Sequence, residues 1–356
     1  MTAGKGETAR SLQLEGQAHA AAGRLEAAGA AFEAAIALQP TVRLWCELAA
    51  VRLMQGDRDG GEAAYRAALA IEPGNAQVLG FLGLSVLHRR RWAEGFSLYD
   101  NWRRIEPPPT PPAPDLGLPV WSGEPLAGRR ALIWGEEGFG DQIMFARFAP
   151  LLVEAGAEVG WVVREPLVRL IREGLGQSAV PHAKGVTIEG ADLMIPSSRL
   201  PVVFMQTLSA PPAEPYLNPP KAIRAPGLTI GVVGRGNPHH DNDRWRSLTP
   251  EAEAALMALP GAVSLKPEDT GARDFWDTAG IIMGLDLVIS VDTSVVHLAG
   301  ALGRPCWVLL PTRCDWRWGE QGETSPWYPS VRLFRQRLAG EWSSVLEDVR
   351  EALARL

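Results

Sequence analysis

After residue 120, the apolar residues of the chain gather in short runs, and each run ends at a polar or glycine-bearing turn. The less regular segment Asp192–Pro201 predicts a short strand and a loop, and the clear runs are Arg130–Trp134, Val159–Val163, Thr229–Val233, Ala262–Leu265, Leu287–Val291 and Cys306–Leu310. Runs of this length are typical of buried strands and are too short to form helices of their own. Amphipathic segments such as Gln142–Leu152 lie between runs, and the order strand, helix, strand predicts parallel α/β units.

This pattern is most compact between Leu285 and Pro311. The polar residues that follow its first strand are Asp292, Thr293, Ser294 and, one helical turn later, His297. In parallel α/β sheets, ligands bind beyond the carboxyl ends of the strands, where the free N–H groups of a helix N-terminus suit a phosphate. We therefore predict that this stretch binds an anion. A buried structural role is the alternative for His297.

The first hundred residues carry a different pattern, a repeat. Pro40, Pro73 and Pro107 lie 33 and 34 residues apart. An aromatic residue and two small residues precede each proline at nearly constant distances: Phe32, Tyr65 and Tyr99; Gly16, Ala49 and Gly83; Ala28, Gly61 and Gly95. Small residues where two helices cross, with an aromatic residue and a final proline, are typical of tetratricopeptide repeats. Residues 9–107 therefore resemble three such repeats.

Stacked helical repeats form an extended concave surface. We expect this surface to bind a protein or an extended peptide, and a purely structural role is the alternative. The segment Glu106–Pro119 is rich in proline and predicts an extended, semi-rigid connector. The predicted domains are the repeats at 9–107, a linker at 108–120, a first α/β domain at 121–225, a second at 226–340, and a final helix at 341–356.

The turn after Arg130–Trp134 contains Gly138 and Gly140 and ends in Asp141. Its glycine spacing does not match the dinucleotide-binding fingerprint. Asp141 is placed at the start of the next helix, on the side where the strands end. It is either a helix cap or a general base at the predicted cleft.

The loop after Thr229–Val233 is basic and rich in amides, and Arg244 and Arg246 lie near its end. Guanidinium groups in such a loop suit a pyrophosphate. Two alternatives compete with that interpretation. The acidic residues Asp241 and Asp243, beside His239 and His240, could hold a divalent metal, or the loop could simply be solvated.

Six segments carry a family resemblance: GEEGFGDQIMFARF, GVVGRGN with NDRWRSL, DTAGIIMGLDLVISVDTSVVHLAGALGRPCWVLLP, and DWRW with SPWYPSVRLFRQ. They are similar to bacterial tetratricopeptide-repeat glycosyltransferases. The catalytic region of those enzymes resembles heptosyltransferases (glycosyltransferase family 9) and, more distantly, protein O-GlcNAc transferases. The resemblance covers about residues 9 to 342, and the segment DTS-x-x-H-LAGALG-x-P is its most specific part.

The resemblance implies helical repeats followed by a GT-B pair of Rossmann-like domains, an α plus α/β fold. It implies that Asp141 is the catalytic base and that Arg244 or Arg246 meets the donor phosphate. The other implied donor-binding residues are Gly138, Gly140, Lys266, Asp292, Thr293, Ser294 and His297. Two positions depart from the family, since Glu137 and Lys266 stand where glutamine is expected.

Composition narrows the class of protein. The chain of 356 residues has a formal net charge of −6, which argues against a nucleic-acid surface. Its three cysteines, Cys46, Cys306 and Cys314, give neither a disulfide framework nor metal-ligand spacing. This cysteine usage leads us to expect a reducing, cytoplasmic setting. The first residues of the sequence show no apolar signal core, and no apolar run approaches the length of a membrane span.

The sequence thus predicts an inverting, metal-independent glycosyltransferase. Its substrate would be a nucleotide-sugar, with no separate cofactor, and its acceptor a hydroxyl of a protein such as flagellin, presented by the repeats. A lipid-linked or polysaccharide acceptor and a catalytically inactive repeat scaffold are the alternatives. An epimerase of the same fold has no support beyond the fold itself.

Overall fold

The computed structural model describes residues 2–105, 113–136, 138–182, 190–222, 229–240 and 242–356. Pro107, Glu137, Asp241 and half of the proline-rich connector lie outside the described residues. The chain forms two compact units, Met1–Pro109 and Thr110–Leu356. Among the described residues, no helix combines the length and the apolar composition needed to cross a membrane.

The first unit is built from three pairs of helices. They are α1 (Thr2–Ala21), α2 (Leu25–Leu38), α3 (Val42–Met54), α4 (Arg58–Ile71), α5 (Ala76–His88) and α6 (Trp92–Tyr99), with a 3-10 turn at Asp100–Arg104. The turns within the pairs need a left-handed residue. Gly23 and Gly56 supply it in the first two pairs, and Arg90 adopts the same conformation, with φ 58°, in the third.

The spacing of small and aromatic residues has a direct physical cause in this unit. A Cβ atom added to Gly16 on α1 would lie 2.6 Å from the ring of Phe32 on α2. A Cβ atom on Gly83 of α5 would lie 2.6 Å from the backbone nitrogen of Tyr99. The paired helices therefore approach closely at these positions, and a larger residue would push them apart.

The second unit contains two parallel sheets. The first is formed by β1 (Arg130–Trp134), β2 (Glu158–Val163), β3 (Ser178–Pro181) and β4 (Leu193–Pro196), in the order β3-β2-β1-β4. The second is formed by β5 (Ile230–Val233), β6 (Ala262–Ser264), β7 (Leu287–Val291), β8 (Cys306–Leu310) and β9 (Val331–Arg335), in the order β6-β5-β7-β8-β9. All the strand pairs are parallel. We refer to the sheets with their helices as the first and second halves of this unit.

Ten helices surround these sheets. They are α7 (Phe139–Phe145), α8 (Ala149–Glu154), α9 (Glu165–Leu175), α10 (Arg199–Phe204), α11 (Asp243–Arg246), α12 (Pro250–Met257), α13 (Pro267–Thr270), α14 (Phe275–Gly284), α15 (Ser294–Ala301) and α16 (Ser343–Leu353), with 3-10 turns at Ala146–Phe148 and Trp316–Trp318. The predicted fold class, helical repeats followed by a parallel α/β region, is confirmed. The predicted domain limits within the second unit stay a prediction.

Several elements differ from the sequence prediction. The helix predicted over Gln142–Leu152 is interrupted by the turn Ala146–Phe148, because Pro150 lacks the N–H that a continuous helix needs. A helix, α10, stands where a loop was predicted after Leu193–Pro196. Strands β3 and β9 were not predicted. Neither is a continuous apolar run, because β3 begins with the exposed Ser178, while Arg332 and Arg335 interrupt the apolar residues of β9.

The halves of the second unit are joined by helix contacts and by the segment 211–222. Helix α7 packs on α15, and α9 packs on α14. The backbone N–H of Tyr216 donates to the carbonyl of Ala301 in the second half, at 3.1 Å. Its hydroxyl donates to the carbonyl of Ile143 in the first half, at 2.7 Å. These contacts fix the ends of the two sheets next to each other.

Replacing Gly83 by alanine should destabilise the first unit. The new Cβ would meet backbone atoms of α6, which cannot rotate away, so we expect a loss of about 1–3 kcal/mol in the free energy of unfolding. Urea unfolding of the full chain, followed by circular dichroism, measures the change. Gly74→Ala is the matched control, because a Cβ there would meet no atom within 4 Å. Equal stabilities for the two variants would contradict the close approach of the helices.

Candidate active site

A cavity of about 580 Å³ opens where the strands of both halves end. All of the predicted site residues except Arg244 line it: Gly138, Gly140 and Asp141 from the first half, and Arg246, Lys266, Asp292, Thr293, Ser294 and His297 from the second. Residues that are far apart in the sequence meet here because every strand of both sheets is parallel, so that the loops after them gather at one edge.

Asp141 lies in the first turn of α7 but does not cap it. Gly138 occupies the capping position, and Asp141 is the third residue of the helix. Its carboxylate accepts a hydrogen bond from the guanidinium of Arg317 and forms an ion pair with it. Arg317 belongs to the second half. The side chain of Asp141 is 24% exposed, so that a ligand in the cavity can reach it.

Gly140 is required by the contact between α7 and α15. A Cβ atom at this position would lie 2.8 Å from Cδ2 of His297 and 3.6 Å from the Cα of Ser294. Only a residue without a side chain permits this approach. The packing places the start of α7, with Asp141, directly against the start of α15.

His297 is buried and has a hydrogen-bond partner. Its Nδ1 lies 3.0 Å from the hydroxyl of Tyr328, and its ring stacks on Trp318 with 5.5 Å between the centroids. The pKa of His297 is lowered to about 3. Burial is the largest cause, and the charges of Arg317 and Arg147 also lower the pKa, against the opposing effect of the Asp315 carboxylate. The imidazole is therefore neutral at physiological pH. The imidazole is thus hydrogen-bonded to Tyr328 and also lines the cavity.

The two candidate arginines occupy different places. Arg246 is mostly buried, and its Nη1 donates to the carbonyl of Asp292 at 2.8 Å, which holds it at the start of α15. Arg244 instead stacks on the ring of Trp245, at 4.8 Å, and does not line the cavity. The geometry therefore brings Arg246, and not Arg244, to the proposed anion.

The start of α15 is open toward the cavity. In the described structure, Thr293 precedes the helix and its side chain makes no capping hydrogen bond to it. Burial raises the pKa of Asp292, and the Asp315 carboxylate adds to this effect against the opposing influence of Trp318, Arg317 and Arg246. The pKa of Asp292 is thereby raised to about 6, so this carboxyl takes up a proton at a higher pH than an ordinary aspartate does.

Lys266 lines the cavity as an ion-paired residue. Its Nζ lies 2.8 Å from a carboxylate oxygen of Glu253, and Arg235 contacts the other oxygen at 2.9 Å. The hydrogen bond that Lys266 donates to Glu253 raises the pKa of Lys266. Glu253 therefore fixes two cations at this side of the cavity.

The metal interpretation of the loop around Asp243 gains no support from the residues described. One oxygen of Asp243 accepts from Arg246 at 3.2 Å, and the other accepts from Ser247 at 2.9 Å. His239 and His240 are exposed. Among the described residues, no group of three His, Cys, Asp or Glu side chains is placed to hold a metal.

The sequence analysis assigned no role to the tryptophans and arginines that follow Pro311. Arg317 is the most important of these residues, because it contacts Asp141 across the cavity. Arg147 was also missed: it is 2% exposed and donates to the carbonyls of Met144, Pro212 and Trp327. The density of aromatic and basic residues at 315–328 was the available signal.

The chain is similar to several known proteins, each over part of its length. No protein-family model matches the chain. Protein FlbA of Caulobacter vibrioides is 26% identical over 371 aligned positions, which cover 85% of this chain and 59% of FlbA. The chain thus spans 59% of the length of that relative.

Two solved structures are similar to separate regions. A family 9 glycosyl transferase from Veillonella parvula is similar over 66% of this chain and 91% of its own, with 11% identity and a TM-score of 0.44. The TPR domain of Arabidopsis OM64 is similar over 29% of this chain and 86% of its own, with 19% identity and a TM-score of 0.28.

Because the pKa of His297 is lowered to about 3, acid should destabilise the protein through this residue. Below its ordinary value of about 6.5, the imidazole takes up a proton in the unfolded chain but not in the folded one. Its contribution to stability is therefore fully present above about pH 6.5 and is lost progressively as the pH falls toward about 3. Between about pH 7.5 and about pH 5 the loss should be about 2 kcal/mol.

Urea unfolding at a series of pH values compares the wild type with His297→Gln, which lacks the titrating group. The stability difference between the two proteins should shrink by this amount as the pH falls. His239→Gln, at an exposed histidine, is the control and should follow the wild-type profile. Parallel profiles for the wild type and His297→Gln would show that His297 does not titrate in this way.

Proposed function

We propose that the protein is a glycosyltransferase that moves a sugar from a nucleotide-sugar donor to an acceptor hydroxyl. The observation that carries the proposal is the composition of one cavity, in which a carboxylate from the first half faces a helix N-terminus and fixed guanidinium groups from the second. The cavity volume of about 580 Å³ lies in the range of small-molecule sites. The two parallel sheets that border the cavity support a GT-B arrangement.

The second half is the proposed donor side. The start of α15 at Thr293 and Ser294 offers backbone N–H groups and the positive end of a helix dipole to the donor phosphate. Arg246 adds a full positive charge that is already held in place by the carbonyl of Asp292. Charges that are fixed before the reaction need no reorganisation when the leaving group becomes anionic.

The first half supplies the proposed base, Asp141. In the reaction, the acceptor oxygen forms a bond to the anomeric carbon of the sugar while the bond from that carbon to the phosphate oxygen breaks. The acceptor proton passes to Asp141, and the bonding electrons leave with the nucleotide phosphate. A single displacement of this kind inverts the configuration at the anomeric carbon. The positive charge comes from protein groups, so that the proposed steps do not depend on a metal.

We propose a protein as the acceptor, recruited by the helical repeats of the first unit. Three helix pairs stacked in sequence form a surface of the kind that binds extended segments of other proteins. Flagellin is a suitable first substrate to assay, and a lipid-linked sugar is the competing acceptor.

Binding of a donor tests the proposal directly. Thermal-shift measurements with UDP-, GDP-, ADP- and CMP-linked sugars should show stabilisation by one class of nucleotide. Asp141→Asn should still bind that nucleotide but should lower the transfer rate by about 10²–10⁴, the usual contribution of a general base. Transfer is measured by mass spectrometry of the acceptor and by release of the free nucleotide.

Asp348→Asn is the control for the loss of an ion pair elsewhere in the second half. Asp348 pairs with Arg337, and neither residue lines the cavity. This variant should transfer sugar at the wild-type rate. Normal turnover by Asp141→Asn would refute the role of Asp141, and the absence of any nucleotide binding would favour an inactive repeat scaffold.

A further inference from the structure

One arm of the Arg317 guanidinium is anchored by the turn that carries this residue. Its Nη1 lies 2.6 Å from Oδ1 of Asp315, and the same oxygen accepts from the backbone N–H of Arg317 at 3.0 Å. Its guanidinium also stacks on the ring of Trp316, at 4.4 Å. These three contacts come from the turn that carries Arg317, so they fix one arm of the guanidinium within the second half.

The other arm reaches across the cavity. Nη2 of Arg317 donates to Oδ1 of Asp141, which is 176 positions away in the chain and belongs to the first half. The side chain of Arg317 is only 13% exposed, yet it lines the same cavity as Arg246 and the start of α15. The arm that holds the proposed base therefore lies among the groups proposed to bind the leaving phosphate.

This arrangement occupies one oxygen of the proposed base in the unliganded protein. Oδ1 of Asp141 accepts from Arg317, so an acceptor hydroxyl would have to compete with a guanidinium for that oxygen. A phosphate carries more negative charge than a carboxylate, and guanidinium groups bind it with directed, charge-assisted hydrogen bonds. A phosphate in the cavity would therefore compete with Asp141 for Nη2.

We propose that Arg317 exchanges its Nη2 donor from Asp141 to the phosphate of the bound nucleotide, and that this exchange frees Asp141 to act as the base. The inference rests on the proposed function and adds an order to it: the donor binds first, and the base becomes available only then. Asp315 and Trp316 keep the guanidinium in place during the exchange, so only one hydrogen-bonded arm changes partner. No covalent bond forms or breaks in this step.

A double-mutant cycle on nucleotide affinity tests the exchange. UDP, GDP, ADP and CMP are titrated calorimetrically into the wild type, Asp141→Asn, Arg317→Gln and the double variant. Removing the competing carboxylate in Asp141→Asn should tighten binding of the recognised nucleotide by roughly three- to thirtyfold, in line with coupling between contacting residues. Arg317→Gln should weaken binding, and adding Asp141→Asn to it should give no gain.

The cycle separates the exchange from simpler explanations. If Asp141 only repelled the phosphate, Asp141→Asn would tighten binding equally with and without Arg317. If the pair were only a latch between the halves, Asp141→Asn would leave the affinity unchanged or reduce it. Either result overturns the exchange. Asp348→Asn, which breaks the ion pair with Arg337 away from the cavity, should leave the affinity unchanged.

Asp315→Asn gives a second measurement in case Arg317→Gln does not fold. With the anchored arm released, a phosphate can bind there without displacing Asp141, so the gain from Asp141→Asn should fall below about threefold. A gain as large as in the wild-type background overturns the exchange. Binding of a nucleotide without the expected coupling refutes only the exchange, whereas no binding by the wild type refutes the proposed function as well.

Discussion

The contact between Gly140 and His297 is the constraint on which the rest of the second unit depends. Two helices from different sheets meet there with their first turns, and there is no room for a Cβ atom between them. The positive ends of both helices consequently converge on one cavity. This convergence brings Asp141 and the start of α15 together and makes the site favourable for anions.

A second constraint lies behind the site, at Arg147. Its guanidinium is almost completely buried and is surrounded by the rings of Tyr216, Trp327 and Tyr328 at 4.5 to 5.1 Å. Burying a charge is costly, and here the carbonyls of both halves and the faces of the rings offset that cost. Because these partners come from the first half, the connecting segment and the second half, Arg147 fixes their relative position.

The charges in the cavity follow from this packing. His297 stays neutral because it is buried beside Arg317 and Arg147. Ionisation of Asp292 is disfavoured by its own burial and by Asp315. Arg246 pairs with Asp243, and Arg317 pairs with Asp141 and Asp315. The cavity lining nevertheless contains more arginine and lysine side chains than carboxylates, which favours a ligand that brings negative charge.

The sequence by itself determined the local structure. Periodic small and aromatic residues predicted the helix pairs, and short apolar runs predicted the central strands. These features depend on neighbours within a few turns, and so their pattern is visible in the chain. Strands β3 and β9 were missed because polar residues interrupt them and no continuous apolar run marks them.

The tertiary structure alone decided which polar residues face one another. Arg244 and Arg246 are equivalent in the sequence, but only Arg246 turns toward the start of α15. Arg317 and Asp141 meet across 176 positions, and no periodicity records such a contact. The pairing arises from the close packing of α7 on α15 and from the turn anchored by Asp315. Contacts of this kind depend on how two sheets come together, which a linear pattern of apolar residues does not encode.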